Sequence, residues 1–396
     1  MLLRKIAGSP GGSIALVIVG GAGYGVYMRV LMVSKACLVG AYQRKLEEIA
    51  RFPDVDLMVV VPAQWDDGSR TVKLERAHVS GYQLVTEPMA LNGRYHLHVY
   101  PRLGRRLQEF APHVVHIDEE PYNLATFHAL WLTKRFGARA LWFSWQNLNR
   151  RYPHPFRLIE RYCLRQTDYV IAGSQGAADV WRAKGYRGPL EVIPQFGVDP
   201  QLFSPAAGQG HGGSEFAIGY VGRLVPEKGV GLLLDAVAEL EGDWRLTILG
   251  TGSERERLMA RVHELRIAGR VHFREPLRSV EMPRFYRQLD VLVLPSRSRP
   301  NWIEQFGRVL IEAMACGVPV VGSDCGEIPH VIGPAGLVFP EGDSAALRAR
   351  LDRLQKDAAL RADLARRGRA RVIERYTQRR VADQTVAVYR ETLALE

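Results

Sequence analysis

The chain is poor in the features that mark several classes of protein. It has four cysteines among 396 residues, and the spacing of Cys37, Cys163, Cys316 and Cys325 fits neither a metal site nor a disulfide framework. We therefore expect buried thiols in a reducing compartment. The sequence carries no recognised nucleic-acid-binding motif, so nucleic acid is not an expected partner.

A long, uninterrupted apolar run is also missing. Arg4 and Lys5 precede a glycine-rich apolar stretch, residues 13–28, which is too short and too rich in glycine to predict a spanning helix. Three interpretations of the extension 1–27 remain open. Translation starts at Met28, or the extension is a weak membrane anchor, or it is a cleaved signal peptide.

The charge balance is basic. The formal net charge is +11, with 47% hydrophobic and 24% charged residues, which is an ordinary composition for a globular protein apart from the excess of cations. The excess leans towards the first half of the chain. It suits an anionic ligand or an anionic lipid surface.

The pattern of the chain is an alternation of short apolar strands and amphipathic helices. This alternation predicts an α/β protein with parallel sheets, and the length predicts two domains. We assign residues 28–200 and 201–376 to two Rossmann-like, doubly wound domains facing a crevice, joined by a glycine-rich linker at 206–214. Within the first half, His78–Val85 and His96–Tyr100 read as extra strands in an antiparallel excursion.

The most informative stretch is Pro300–Asp324, which contains the two carboxylates Glu304 and Glu312. It follows a charge-free run, Val291–Leu294, that is typical of a strand buried on both faces. We predict a helix over Phe306–Ala315, with Glu304 in the preceding loop. Ligands in such sheets bind at the strand carboxyl ends, so both carboxylates can face one crevice and bind the hydroxyls of a polyol.

A second loop brings two cations together after the first strand of the second half. It reads Gly222-Arg-Leu-Val-Pro-Glu-Lys-Gly229, with Arg223 and Lys228 between bounding glycines. A guanidinium and an ammonium in such a loop can hold a diphosphate. The alternative is a solvated, charged loop without a ligand.

These motifs together resemble the retaining GT-B-fold glycosyltransferases of family 4, the group 1 glycosyltransferases. The resemblance extends from Met28 to the C-terminus. It rests on the paired glutamates, on the sequence Glu312-Ala-Met-Ala-Cys-Gly-Val-Pro-Val-Val321 and on the Gly-Arg-x4-Lys-Gly loop. Gly197-Val-Asp199 and Gly336-Leu-Val-Phe-Pro340 are similar as well.

The resemblance implies roles for individual residues. Glu304, Arg223 and Lys228 would form the catalytic group, with the two cations on the donor diphosphate and Glu304 at the donor sugar. Glu312 would bind the ribose, and the last helix, 377–396, would cross back onto the first domain. The other implied donor-binding residues are Gly40, Gly222, Phe306, Gly307, Leu277 and Gln146.

The chemistry implied by the family is transfer with retention, without a cofactor and without a bound metal. Negative charge grows on the leaving diphosphate as the sugar–phosphate bond breaks, and fixed cations lower that barrier. The leaving phosphate oxygen can itself take the proton of the acceptor hydroxyl.

The chain departs from the family pattern at Gln146, where many members carry a histidine. An amide can bind a donor hydroxyl but cannot act as a base. Asp118, Glu119 and Glu120 form a carboxylate cluster that is either an acid/base group or a solvated, capping turn.

We therefore expect a cytoplasmic glycosyltransferase, with peripheral contact at the inner face of a membrane left open. Its partners would be a nucleotide-diphosphate sugar and a saccharide, lipid-linked or small-molecule acceptor. Two alternatives remain, namely a non-catalytic module that binds sugar nucleotides or lipid surfaces, and a GT-B-like sugar-nucleotide epimerase.

Overall fold

The structure is a computed structural model that describes residues 27–66, 68, 71–205 and 215–395. The extension up to residue 26 and the expected linker at 206–214 lie outside the described residues. The described part contains two parallel sheets, of seven and six strands, and a small antiparallel pair. The two-sheet α/β architecture expected from the sequence is thereby confirmed.

The first half of the chain builds the seven-stranded sheet and its flanking helices. Its strands are β1 Met28–Val33, β2 Val55–Val61, β3 Gln64–Asp66, β4 Thr71–Lys73, β5 Gln83–Thr86, β6 Val114–Ile117, β7 Arg139–Ser144, β8 Tyr169–Ala172 and β9 Leu190–Val192. Its helices are α1 Arg44–Ala50, α2 Leu103–Phe110, α3 Leu124–Arg135, α4 Phe156–Gln166 and α5 Gln175–Ala183. The order in the sheet is β5-β2-β1-β6-β7-β8-β9, with β3 and β4 paired separately.

The second half builds the six-stranded sheet, in the order β12-β11-β10-β13-β14-β15. The strands are β10 Phe216–Val221, β11 Trp244–Leu249, β12 Val271–Arg274, β13 Val291–Leu294, β14 Val320–Ser323 and β15 Leu337–Phe339. The helices are α6 Val230–Ala238, α7 Arg255–Glu264, α8 Met282–Tyr286, α9 Arg308–Ala315, α10 Ile328–Ile332, α11 Ser344–Lys356, α12 Ala358–Arg375 and α13 Gln378–Ala394.

Apolar strands form the centre of each sheet because helices cover both faces. Every residue of β6, β8, β13 and β14 is buried. Strands of this kind read as continuous apolar runs rather than as alternating ones, which is how the sequence revealed them. In the first sheet β1 and β6 are parallel neighbours, and in the second sheet β10 and β13 are. The loops that follow the two strands of each pair therefore leave the sheet side by side.

The last helix, α13, returns to the first sheet. Val381, Val386 and Tyr389 lie in the same apolar cluster as β1 and β2. The Tyr389 hydroxyl lies 2.8 Å from His116 Nδ1, and the Arg390 guanidinium donates three hydrogen bonds that reach both oxygens of the Asp54 carboxylate. Buried apolar contacts and a two-pronged ion pair therefore tie the end of the chain to its first half.

The expected antiparallel excursion in the first half is wrong. The stretch 78–85 contributes only β5, which pairs in parallel with β2. The stretch His96–Tyr100 begins as a turn, because the amides of Leu97 and His98 both donate to the carbonyl of Arg94, and only Val99 pairs in an antiparallel manner, in an isolated bridge with Ala90. Its alternating residues imitate a strand, but the fully buried His98 faces Glu119 instead of a partner strand.

The four cysteines are free and buried, as expected. Of the helices that the structure describes, none combines the length and the apolar character that crossing a membrane requires.

Candidate active site

Lys228 and Glu304 form an ion pair at the carboxyl ends of two neighbouring strands. Lys228 follows β10 and Glu304 follows β13, and Lys228 Nζ lies 2.6 Å from Glu304 Oε2. The Ser296 hydroxyl donates to the same oxygen at 2.7 Å, and the ammonium lies over the Trp302 ring, 4.8 Å from its centre. Both charged side chains are largely buried, with 15% and 9% exposed, so water screens their attraction poorly.

Gly229 permits this approach of the two loops. Its φ is +66°, in the left-handed region, and a Cβ at this position would lie 2.0 Å from the carbonyl oxygen of Pro295. The Arg297 amide also donates to the Glu227 carbonyl at 2.8 Å. A residue with a side chain at 229 would separate the loop of Lys228 from that of Glu304.

Glu312 lies on α9 and is held by two donors. Tyr286 donates its hydroxyl to Oε2 at 2.8 Å, and Arg308 Nε donates to Oε1 at 2.7 Å from one turn earlier on α9. Burial, and then the charge of Glu312, raise the pKa of Tyr286 well above its ordinary value, so the hydroxyl stays a donor. The carboxylate is therefore buried and fixed in direction.

Arg223 does not join Lys228 and Glu304. Its side chain is 68% exposed, and its nearest acidic partner is Glu227, at 3.8 Å. At the neighbouring Gly222, whose φ is +155°, an added Cβ would lie 2.8 Å from the Tyr220 hydroxyl oxygen. The Gly222–Gly229 loop thus presents one cation inside the site and one at its rim.

The loop of Gly40 reaches the second half through Tyr42. The Arg308 guanidinium lies over the Tyr42 ring at 5.4 Å, and Tyr42 stacks on Phe196 with centroids 3.9 Å apart. Gly40 itself donates its amide to Glu75 Oε2 at 2.7 Å. A Cβ there would lie 2.7 Å from that of Ala77, so contacts within the first half already require a glycine.

The other expected donor-binding residues of the second half lie around the start of α9. Gly307, with φ +76°, precedes the helix, and a Cβ on it would lie 2.8 Å from Leu294. The Phe306 ring packs between Trp145 of the first half and Tyr376, at the end of α12. Leu277 is partly buried against the apolar cluster that includes α9.

Gln146 lies across the crevice from the loop that carries Glu304. Its side-chain amide donates to the Leu148 carbonyl at 3.1 Å and accepts from the Tyr152 hydroxyl at 3.2 Å. With Trp302 and Ile303 it lines a cavity of about 150 Å³ between the two halves. The next residue, Asn147, donates to the Glu304 carbonyl oxygen at 3.2 Å.

The carboxylates at 118–120 are not a solvated turn, which corrects one of the two sequence interpretations. Asp118 and Glu119 are at least nine-tenths buried and point into the first half. Burial raises the pKa of Glu119, but Lys35 and His98 outweigh it and hold the pKa at about 2. The partners of Asp118 are the hydroxyl of Ser34 and the amide of Gln195.

Glu120 is the member of this cluster that lines the crevice cavity. Its carboxyl group accepts from the Ser144 hydroxyl at 2.6 Å and from the Trp145 amide at 2.8 Å. Burial raises the pKa of Glu120 to about 7, against the opposing effect of these two hydrogen bonds. The group can therefore gain or lose a proton near neutral pH.

Within the part of the chain that the structure describes, no group of three or more His, Cys, Asp or Glu side chains is arranged to hold a metal ion.

Sequence reasoning missed the partners of the two glutamates. Neither Ser296 nor Tyr286 is identified as a site residue by the sequence motifs. The spacing of four between Arg308 and Glu312 was a usable signal, since such residues meet on one helix face. No local pattern indicated Tyr286, which reaches Glu312 from another helix.

Both halves of the chain match known protein families. Residues 207–371 match the family described as Glycosyl transferases group 1, and residues 50–202 match the family described as Glycosyltransferase Family 4. The fold is that of a glycosyltransferase from Rickettsia africae (TM-score 0.73, 16% identity, 93% of this chain and 99% of that one). The fold is also that of HepE of Anabaena in complex with UDP, with a TM-score of 0.72 and 19% identity over 92% of this chain and 100% of that one.

Two curated relatives are more similar in sequence. An MMP alpha-(1->4)-mannosyltransferase of Mycolicibacterium hassiacum is 37% identical over 214 residues, 52% of this chain and 49% of the relative. A D-inositol 3-phosphate glycosyltransferase of Streptomyces bingchenggensis is 31% identical over 256 residues, 59% and 55% respectively. The chain thus spans about half the length of the curated relatives it matches. The two family matches and the GT-B fold together show that the chain belongs to the group 1 glycosyltransferases.

Proposed function

We propose that the protein transfers a sugar from a nucleotide-diphosphate sugar to a hydroxyl acceptor, with retention of the anomeric configuration. The observation that carries this proposal is the buried pair of Lys228 and Glu304, which lies at the carboxyl ends of β10 and β13. The Lys228 ammonium, which can bind a diphosphate, and the Glu304 carboxylate, which can accept hydrogen bonds from sugar hydroxyls, are hydrogen-bonded to each other beside the crevice.

The names of similar proteins support the donor class. HepE of Anabaena has been solved with UDP and with UDP-glucose, and the curated relatives are named as glycosyltransferases. Their names differ in the sugar and in the acceptor, so for this chain the proposal extends to the class of donor and no further.

During the reaction, negative charge develops on the leaving diphosphate, next to the cationic side of the site. The bond between the anomeric carbon and the phosphate oxygen breaks, and its electron pair stays on the diphosphate. The acceptor oxygen bonds to the same face of the carbon, and its proton passes to the leaving phosphate oxygen. Lys228 and the amino end of α6, which begins directly after Gly229, stabilise the growing negative charge. In this mechanism no metal ion and no cofactor is required.

Each glutamate has a distinct part in the proposal. Glu304 binds hydroxyls of the transferred sugar and holds the Lys228 ammonium in place. Glu312 binds the ribose hydroxyls, and its two donors, Tyr286 and Arg308, fix the direction of its oxygens. Gln146 binds a donor hydroxyl from the opposite side of the crevice.

We further propose that the enzyme acts on the cytoplasmic side, with peripheral contact at the inner face of the membrane. The support is the supply of sugar nucleotides in the cytosol and the basic excess of the first half. Sedimentation with vesicles of anionic and of zwitterionic lipid tests the contact, and equal binding to both would remove its electrostatic basis.

The activity is tested with a panel of nucleotide sugars. A donor should raise the melting temperature, since it binds the folded state alone, and should be converted to free nucleotide. Sugar-product analysis with an acceptor then reports the anomeric configuration. A donor that binds but is never turned over, with any acceptor supplied, would favour a non-catalytic binding module. Conversion of the donor to another nucleotide sugar would favour an epimerase.

A further inference from the structure

A second cavity, of about 510 Å³, opens in the first half next to the crevice. It lies between the segment 149–152, helix α4 and the end of α5. Its charged lining is strongly one-sided. Glu160 is the acidic residue among the lining residues, and the cationic ones are Arg150, Arg151, Arg157, Arg161 and Lys184.

The single acidic residue is already neutralised. Glu160 Oε1 lies 2.5 Å from Lys184 Nζ, and both side chains are nine-tenths or more buried. Lys184 also donates to the Arg150 carbonyl at 2.7 Å and lies over the rings of Tyr152 and Trp181. The pair fixes one wall of the cavity and leaves its arginines without a counter-charge.

Three of these arginines have no ion pair and no side-chain hydrogen bond among the described residues, namely Arg151, Arg157 and Arg161. Arg157 and Arg161 are four residues apart on α4, so their like charges repel on one helix face. A solvated surface would tolerate this arrangement at a small cost. Helix α7 also places two arginines four residues apart, Arg257 and Arg261, but there each arginine forms an ion pair with an acidic residue three positions away.

The cationic cavity borders the crevice cavity. Arg150 and Tyr152 line both cavities. The Tyr152 ring stacks on Tyr122 with centroids 4.2 Å apart, and its hydroxyl donates to Gln146. Arg150 also reaches across to the Asn301 carbonyl of the second half. Arg150 and Tyr152 therefore form a wall that the crevice cavity and the cationic cavity share.

We propose that this cavity binds a phosphate group carried by the acceptor. The inference rests on the proposed transfer to an acceptor and adds the class of acceptor, a phosphorylated one. Guanidinium groups bind phosphate oxygens in a forked geometry, and two of them on successive turns of a helix can share one phosphate. The accepting hydroxyl lies in the crevice, and the phosphate lies in the cavity beyond Tyr152.

The test uses inorganic phosphate as the probe and the full chain. The double variant Arg157→Gln/Arg161→Gln should bind phosphate about tenfold more weakly or worse, because charge-assisted hydrogen bonds are lost. Arg165→Gln is the matched control, since Arg165 is exposed on the same helix but does not line the cavity. Lys228→Ala should keep this binding, which separates the cavity from the donor site.

A second probe identifies the source of the phosphate. Vesicles containing phosphatidic acid are compared with vesicles of phosphatidylcholine, using the same variants. The site is supported if the double variant loses binding of either probe and Arg165→Gln does not. Lost binding of phosphatidic acid vesicles indicates a membrane-borne phosphate, and lost binding of inorganic phosphate indicates a soluble one. Unchanged binding of both probes, or an equal loss in Arg165→Gln, overturns it. Donor turnover of the unaltered protein is measured separately, so failure of the cavity and failure of the transfer activity give different results.

Discussion

Lys228 and Glu304 are 76 residues apart in the chain, and their side chains are joined by a 2.6 Å hydrogen bond. Each follows a different strand of the second sheet, and β10 and β13 are direct neighbours. The sheet order therefore creates the pair, and Gly229 lets the two loops approach. The ammonium is held in place before a diphosphate arrives, so binding the donor costs little reorganisation.

Gly229→Ala should lower the free energy of unfolding by more than the cost of a left-handed alanine alone. A left-handed alanine costs about 1–2 kcal/mol, and at 229 the added Cβ also meets the Pro295 carbonyl. Gly342→Ala is the control, because Gly342 has φ +82° and no heavy atom within 4 Å of an added Cβ. Urea unfolding should show a larger loss of free energy for position 229, and donor affinity should fall for that variant alone. Equal losses at the two positions would contradict the account.

Glu304→Gln and Glu312→Gln should affect different quantities. Glu312 is assigned to the ribose, so its amide variant should mainly weaken the affinity for free nucleotide. Glu304 is assigned to the reacting sugar, so its variant should mainly lower kcat. Tyr286→Phe removes one donor from Glu312 without changing its charge and should weaken nucleotide binding less than Glu312→Gln. Calorimetric titration and turnover measurements on all three test this division, and equal effects on both quantities would refute it.

Glu120 should make stability depend on pH near neutrality. Its pKa is raised to about 7 by burial, so it stabilises the fold when protonated. That contribution is complete below the pKa of an unfolded glutamate and is lost as the pH rises through 7. Glu120→Gln should flatten the fall in unfolding free energy between pH 5 and pH 8.

The exposed Glu109 provides the control for this experiment. Arg105 lowers the pKa of Glu109, so this residue titrates below the range examined. Glu109→Gln should leave the slope between pH 5 and pH 8 as it is in the unaltered protein. A slope that Glu120→Gln does not change would show that Glu120 is ionised throughout.

The carboxylates at 118–120 also allow a test of double displacement, the rival to same-face transfer. Glu120 alone of the three lines the crevice cavity, so a covalent intermediate would have to form on it. We expect Glu120→Gln to retain turnover and no glycosyl-enzyme mass to be trapped. Asp118→Asn and Glu119→Gln should lower stability rather than kcat. Abolished turnover in Glu120→Gln, together with a trapped adduct in the parent protein, would establish double displacement.

Gln146→Ala should reduce turnover about tenfold, because a neutral hydrogen bond contributes about 0.5–1.5 kcal/mol. The loss should appear in donor affinity as well as in kcat, since Gln146 is assigned to a donor hydroxyl. Steady-state kinetics with a fixed acceptor measure both. A loss of many thousandfold would show that Gln146 takes part in the chemical step.

The sequence predicted the fold because buried parallel strands and the glycines after helices leave local signals. β13, α9 and β14 are recognisable from an apolar run, an amphipathic run and Gly317. The alternation in His96–Tyr100 predicts a strand, but it does not reveal that Leu97 and His98 bond to a turn at Arg94 and that only Val99 forms an antiparallel bridge.

The site was predictable only in part, for a physical reason. The presence of Lys228, Glu304 and Glu312 beside the crevice follows from strand order and loop position. The contact of Tyr286 with Glu312, the exposure of Arg223 and the inward direction of Asp118 and Glu119 depend on side-chain packing between distant segments. Periodicity carries no information about such packing.

The most direct test of the central claim is kcat of Lys228→Ala with a saturating donor and acceptor. The charge is assigned to the leaving diphosphate in the transition state, so kcat should fall about 100-fold or more while the protein stays folded. Lys356→Ala, at an exposed lysine on α11, should leave kcat unchanged. An unaltered kcat in folded Lys228→Ala would contradict the assignment of this cation to the reaction.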